Sequence, residues 1–237
     1  MRAILFVLAL FVARTGAAEK VIVIDPGHGG STDSGSQKER TLSSSNNATS
    51  PAKLLEKDLT LELSKEVAKQ LAARPHTVLK PVLTRTGDEN PDFGKRAAFC
   101  AAAKPVAIFS IHFNASDNHA ALGTTAVIAA KGTNPNHAVD EAFAKGLITA
   151  AHGAVVRFVP RSVPLPVIPD SHLHGGAGSN FFHQLAKHPE LANVPKCFLE
   201  IEFIDRKDVD AELLSNRKAA FPVIAKAITD YLAARFE

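Results

Sequence analysis

Strand-like and helix-like stretches alternate along this 237-residue chain, which predicts an α/β fold: a single domain with a twisted, mostly parallel β-sheet flanked by α-helices. Three observations carry that reading. Val21-Ile22-Val23-Ile24-Asp25 is a mostly β-branched run that ends at a Pro-Gly breaker. Val106 to Phe113 is apolar on both faces, as expected of a central parallel strand covered by helices. Leu59, Leu63, Val67 and Leu71, and later Ile224, Ile228, Tyr231 and Leu232, recur at the spacing of one buried helix face.

Taken in order, the chain opens on an export signal. Met1-Arg2 gives a positive start, Ala3 to Ala13 is apolar, and Gly16-Ala17-Ala18 closes it with small residues. The apolar run is too short to span a bilayer, so residues 1–18 read as a cleaved secretory signal and 19–237 as the domain. An uncleaved anchor is disfavoured because nothing lengthens the apolar core. No Cys follows the run, so neither a lipid anchor there nor any stable membrane anchor after cleavage is expected. The predicted location is outside the cytoplasm, in the periplasm or the extracellular space. Arg2 and Arg14 leave with the signal, so the formal charge of +3 moves toward neutrality and gives no reason to expect a nucleic-acid partner.

Strands are predicted at 21–25, 77–83, 106–113, 123–130 and 197–203, and helices at 56–73, 94–103, 137–151 and 222–236. Two stretches look inserted. Residues 34–53 are polar and short of core formers, hence a flexible loop. Residues 160–180 hold Pro160, Pro164, Pro166, Pro169 and Gly175-Gly176, which predicts a long loop without regular structure. Export permits one bridge between Cys100 and Cys197. Their apolar flanks, however, favour two buried free thiols.

Four residues carry the chemical signal. His28 sits just past the end of the first strand, where α/β sheets collect ligands, among Gly27, Gly29 and Gly30. Alone the motif is weak, since a loop histidine is more often solvated than a ligand. Glu56 opens the first helix on the side of its apolar stripe, where a carboxylate needs a partner or a metal unless it bends out to water. His112 lies near the carboxyl end of its strand, in line with His28, against the alternative of a satisfied core histidine. Glu200 and Glu202 share one face of a hydrophobic strand, so at least one belongs in a cleft, with a solvated edge position the alternative for Glu202. Two His and one Glu with an open fourth position make a catalytic zinc site, and a further Glu can then act as base.

On these residues the chain resembles the zinc-dependent N-acetylmuramoyl-L-alanine amidases of the periplasmic cell-separation and sporulation type. The carriers are I-D-P-G-H-G-G (24–30), E-K-D-L-T-L (56–61), L-T-R-T-G-D (83–88), S-I-H-F-N-A (110–115) and V-P-K-C-F-L-E (194–200). The resemblance implies that His28, Glu56 and His112 hold Zn2+ and that Glu200 is the catalytic acid/base. It also implies a substrate, peptidoglycan or its muropeptides, cut between the lactyl group of N-acetylmuramic acid and L-alanine. In related amidases an insertion occludes the zinc until an activator moves it. A gating role for 160–180, with Asp170, His172 or His174 near the metal, and a protein activator follow as expectations, against a plain surface excursion.

The chain departs from the family pattern in three places. The loop after Gly30 is one residue longer, Glu202 stands where a small residue is usual, and Arg206 replaces an Asn. Arg85 and Arg96 are candidates to bind stem-peptide carboxylates, with surface or salt-bridge roles the equal alternative. The competing readings are another exported zinc peptidase or carboxypeptidase, and a non-catalytic wall-binding regulator. The second loses ground because all four site residues are present.

Overall fold

The structure, a computed structural model, describes residues 18–237. The assigned signal, apart from Ala18, lies outside them. The described residues hold six strands: β1 (Lys20–Pro26), β2 (Leu79–Leu83), β3 (Ala107–Asn114), β4 (Thr124–Ile128), β5 (Pro164–Pro169) and β6 (Lys196–Phe203). The helices are α1 (Glu56–Ala72), α2 (Phe93–Ala103), α3 (His137–Val155), α4 (Asn180–Leu185), α5 (Lys207–Val209) and α6 (Arg217–Phe236). All strands join one sheet in the order β2-β1-β3-β6-β4-β5. Every pairing is parallel except that of β4 with β6. The α/β expectation therefore holds.

The sheet divides the core into two layers. Leu59, Leu63 and Val67 of α1, Phe143 and Leu147 of α3, and Ile224 and Ile228 of α6 pack on one face. Ala97 and Cys100 of α2, with Phe181, Phe182 and Leu185 of α4, pack on the other. Each strand supplies both layers by alternation, as Phe198 and Leu199 do from β6. The chain steps from β1 to β2 on one side, then returns to β3 on β1's other side. Such a reversal opens a crevice at the carboxyl ends of the two central strands. His28 follows β1 and His112 lies near the end of β3, so the topology brings both to that crevice.

Three expectations need correction. Residues 160–180 are not a structureless loop: Pro164–Pro169 forms β5, paired parallel with β4. Prolines are admissible there because β5 is an edge strand with one side free of ladder bonds, as β2 is for Pro81. Short 3-10 turns (Asp170–His172 and His174–Gly176) and α4 follow. Helix α6 starts at Arg217, ahead of the predicted 222, so Pro222 lies inside it rather than at its start. Residues 34–53 lack named elements but are tied down by bridges Ser34–Ser43 and Thr49–Leu55, with Ser43, Ala48 and Ser50 buried. This polar stretch is anchored by hydrogen bonds where apolar packing is scarce.

Cys100 and Cys197 are both free and buried, on opposite faces of the sheet. Burial raises both thiols' pKa well above the ordinary value, leaving them inert.

Candidate metal centre

Three side chains converge at the crevice. Glu56 is the first residue of α1, whose N-terminus favours a carboxylate. Its Oε1 lies 3.1 Å from Nε2 of His28 and 3.0 Å from Nδ1 of His112. The same carboxylate accepts backbone N–H bonds from Phe113 to Oε1 (3.1 Å) and from Ala48 to Oε2 (3.0 Å). Candidate ligand atoms of His28, Glu56 and His112 all lie within 4.8 Å of one another, and they form the one His/Cys/Asp/Glu group of this kind among the described residues.

The backbone around His28 is held irregularly, and two buried arginines hold it. His28 takes a left-handed φ of 62°, uncommon for a side-chain-bearing residue. The carbonyls of the turn therefore fall outside any ladder and need other donors. Arg85 donates to the carbonyls of Pro26 (3.0 Å), Gly27 (2.9 Å) and Lys57 (2.7 Å). Arg96 donates to those of Pro26 (3.0 Å) and His28 (2.7 Å) and pairs with Asp25 at 2.7 Å. Burial and the neighbouring Arg96 lower the Arg85 pKa to about 10, so it stays charged at neutral pH. The expectation that these arginines bind substrate carboxylates is thus corrected. Both are buried and committed to the metal-centre turn, which leaves the salt-bridge reading to Arg96.

Gly27 is required for a packing reason. A Cβ there would stand 2.4 Å from the His112 ring, so the imidazole rests directly on bare backbone. On its far side the His112 ring meets Phe198, centroids 5.3 Å apart. His28 is oriented from the 34–53 segment: its Nδ1 lies 3.0 Å from the carbonyl of Ser44. A carbonyl only accepts, so Nδ1 carries the proton and Nε2 presents a lone pair toward Glu56.

The electrostatics fit a cation. Burial alone would raise the Glu56 pKa, but His28 and His112 hold it far below the carboxylate range. Burial lowers the His28 pKa and the Glu56 charge more than restores it, so the net shift is upward. The His112 pKa is lowered, chiefly by burial. His28 Nε2 is a buried atom that lacks a well-formed hydrogen bond. One carboxylate and two imidazoles, converging with a lone pair left over, are the donor set of a zinc-type centre.

Glu200 stands directly across the ladder from His112. Its Oε2 is buried with no hydrogen-bond partner, and burial followed by the Glu56 charge raises its pKa well above the ordinary value. Glu202, by contrast, is neither solvated nor in a cleft. It is fully buried and accepts from the N–H groups of Gly123 (2.6 Å) and Phe203 (2.9 Å) and from the Ser162 hydroxyl. Asp170 and His172 do not join the metal cluster. They follow β5 at the sheet end near Lys196, where Asp170 accepts from Ala130 and Ser179 N–H groups. Sequence reading missed the orienting Ser44 carbonyl, the Ala48 and Phe113 N–H donors and the Asp25–Arg96 pair. Only the last left a signal, an acid at the end of an apolar strand.

An open α/β sheet with two histidines, a glutamate and a buried acid at its switch point has the architecture of a metal-dependent hydrolase. The model of the N-acetylmuramoyl-L-alanine amidase family matches residues 22–233, and the chain belongs to that family. A search of curated proteins returned no match. Solved structures of the same fold include Ami1 amidase of Mycobacterium smegmatis, 18% identical with TM-score 0.68, over 92% of this chain and 96% of that one. The catalytic domain of CwlV amidase from Paenibacillus polymyxa is 20% identical with TM-score 0.65, over 91% and 97%. CwlD amidase of Clostridioides difficile, solved in complex with the GerS lipoprotein, is 18% identical with TM-score 0.61, over 91% and 100%. The chain is thus an enzyme of the amidase type, acting on peptidoglycan.

Proposed function

We propose that the chain is an exported, zinc-dependent amidase that cuts between the lactyl group of N-acetylmuramic acid and L-alanine. In this reading His28, Glu56 and His112 hold the ion and Glu200 is the catalytic acid/base. The observation that carries it is the convergence of the three ligands within 4.8 Å, with Glu200 opposite His112. A zinc ion bound there supplies positive charge that polarises the scissile carbonyl and acidifies the attacking water.

The chain's own groups do the rest. Glu56 supplies the negative charge that balances the ion, and the N–H groups of Ala48 and Phe113 fix its orientation. The Ser44 carbonyl fixes the His28 tautomer. Glu200, with a free oxygen and an elevated pKa, takes a proton as water attacks and returns it to the leaving nitrogen. The carbonyl carbon thus gains the water oxygen, the C–N bond breaks, and the amine leaves neutral.

Export follows from the sequence at 1–18, and among the described residues no helix is long and apolar enough to cross a membrane. A protein activator belongs to the reading, supported by the complex of CwlD with GerS. Mass spectrometry of the products from sacculi and from a soluble muropeptide tests the reaction. A free lactyl acid and an intact peptide with L-alanine at its amino end are expected. Trimmed peptides still attached to the sugar would instead indicate a peptidase.

A further inference from the structure

A cavity of about 350 Å³, the size of a small-molecule site, lies apart from the metal centre. Lys196, which opens β6, stands in its wall with Ala129 and Ala130, which follow β4. Strand β4 runs antiparallel to β6, so this is the end of β6 opposite Glu200. Lys196 pairs with Ile108 and Glu200 with His112, a separation of about 13 Å at roughly 3.3 Å per residue. None of the four site residues lines the cavity. Phe182 and Leu185 of α4, with Leu191, give it an apolar side.

Its polar groups are unevenly matched. The Lys196 side chain is only 10% exposed, yet its ammonium makes a single hydrogen bond among the described residues, to the Val194 carbonyl (2.8 Å). An ammonium has three N–H donors, so two are left over. Asp140 stands 4.0 Å away, beyond hydrogen-bond reach. It is taken up instead by Asn134 (2.8 Å), Asn136 (3.0 Å) and the Lys196 backbone N–H (3.0 Å).

Arg40 lines the cavity from the 34–53 segment. It donates from Nε to Asn180 (3.1 Å) and from Nη2 to the Ala177 carbonyl (2.6 Å). Its Nη1 group is left over, and its charge has no acid partner among the described residues. Asp170, the one acid in the lining, has both oxygens committed, to the N–H groups of Ala130 and Ser179 at 2.8 Å each.

The electrostatics agree with this donor surplus. Burial lowers the Lys196 pKa, and Asp140 restores only part of it. The pKa of His183, also in the lining, is lowered by burial and then by Arg40 and Lys187, with no acid opposing them. Unused donors, uncompensated positive charge and an apolar wall complement an anion with an apolar body.

We propose that this cavity is a binding site for a small organic anion, its acid group held by Arg40 and Lys196 and its apolar body against Phe182 and Leu191. The site needs neither the metal nor the amidase substrate, so it stands or falls apart from the amidase reading.

Calorimetry on the zinc-loaded protein at fixed ionic strength tests it with four probes: phenyl phosphate, benzoate, inorganic phosphate and phenol. Phenyl phosphate, benzoate or both should bind at least about 10-fold more tightly than inorganic phosphate or phenol, as expected when a charge-assisted contact adds to apolar burial. The tighter of the two aromatic anions identifies the head group as phosphate or carboxylate. Lys196→Met keeps the apolar stem and removes the ammonium, so it should weaken that probe at least about 10-fold. Where circular dichroism shows that Lys196→Met does not fold, His183→Glu decides in its place. That position is exposed, and the new carboxylate should weaken the probe by like-charge repulsion. Zinc also attracts anions, so affinity unchanged in the deciding variant would assign the binding to the metal centre and overturn the proposal. No binding of either aromatic anion, or binding no tighter than that of phenol or inorganic phosphate, would overturn it as well.

Discussion

His112 and Glu200 face each other across β3 and β6 at the last regular pair before the register shifts between His112 and Asn114. A candidate ligand and the candidate acid/base are thus fixed by one ladder position, not by loops. Strand-borne groups of this kind keep their spacing without paying for loop ordering.

Gly27→Ala tests how His112 is seated. The new Cβ would meet the imidazole at 2.4 Å, with Phe198 closing the other side. Zinc affinity should fall roughly 10- to 100-fold, the range for misoriented ligands. Equilibrium dialysis with elemental analysis measures this, and unchanged affinity would show that the ring can shift freely.

The two strand acids should separate cleanly. Glu202→Leu strips the partner from the N–H groups of Gly123 and Phe203, each costing about 1–3 kcal/mol when buried. Denaturant unfolding should show that loss, whereas Glu200→Gln should leave stability unchanged or raised. Equal stability losses would mean Glu200 is also a structural acid.

Acid sensitivity should trace to Asp25. Burial would raise its pKa, but Arg96, Ser110 and Thr84 together hold it below the ordinary value. A depressed carboxylate adds stability above its unfolded pKa of about 3.9 and loses it as pH falls through the folded value. Unfolding midpoints should therefore decline steeply below about pH 4. Asp25→Asn should be less stable at neutral pH, because Arg96 is left buried without its partner, yet show a shallower acid slope. An unchanged slope would place the acid transition elsewhere.

Thiol titration checks the core assignment. Native protein should release no colour with a thiol reagent, and unfolded protein should report two thiols, Cys100 and Cys197. No thiols after unfolding without reductant would reveal a bridge.

The fold was legible because β1, β3 and α1 advertise burial by local pattern, and local pattern fixes where strands end. His28 and Glu56 were legible for the same reason, since each lies at or just past the terminus of an element, and His112 and Glu200 because each is a polar group set into an apolar strand. What stayed hidden depends on pairing. Proline content at 164–169 argues for a loop unless the strand is known to be an edge. Arg85 and Arg96 look like free cations until the irregular turn that needs their donors is seen. Glu202 and Glu200 are indistinguishable in sequence because only the neighbouring strand β4 and Ser162 tell them apart.

The central claim is that metal binding and proton transfer are separate tasks of neighbouring groups, and one variant tests it. Glu200→Gln, purified and zinc-loaded, should keep about one zinc per chain through His28, Glu56 and His112. Its kcat on a soluble muropeptide should fall by about 10²-fold or more, the share of a positioned acid/base. Zinc content that falls with the variant, or a kcat close to wild type with zinc in place, would contradict the account.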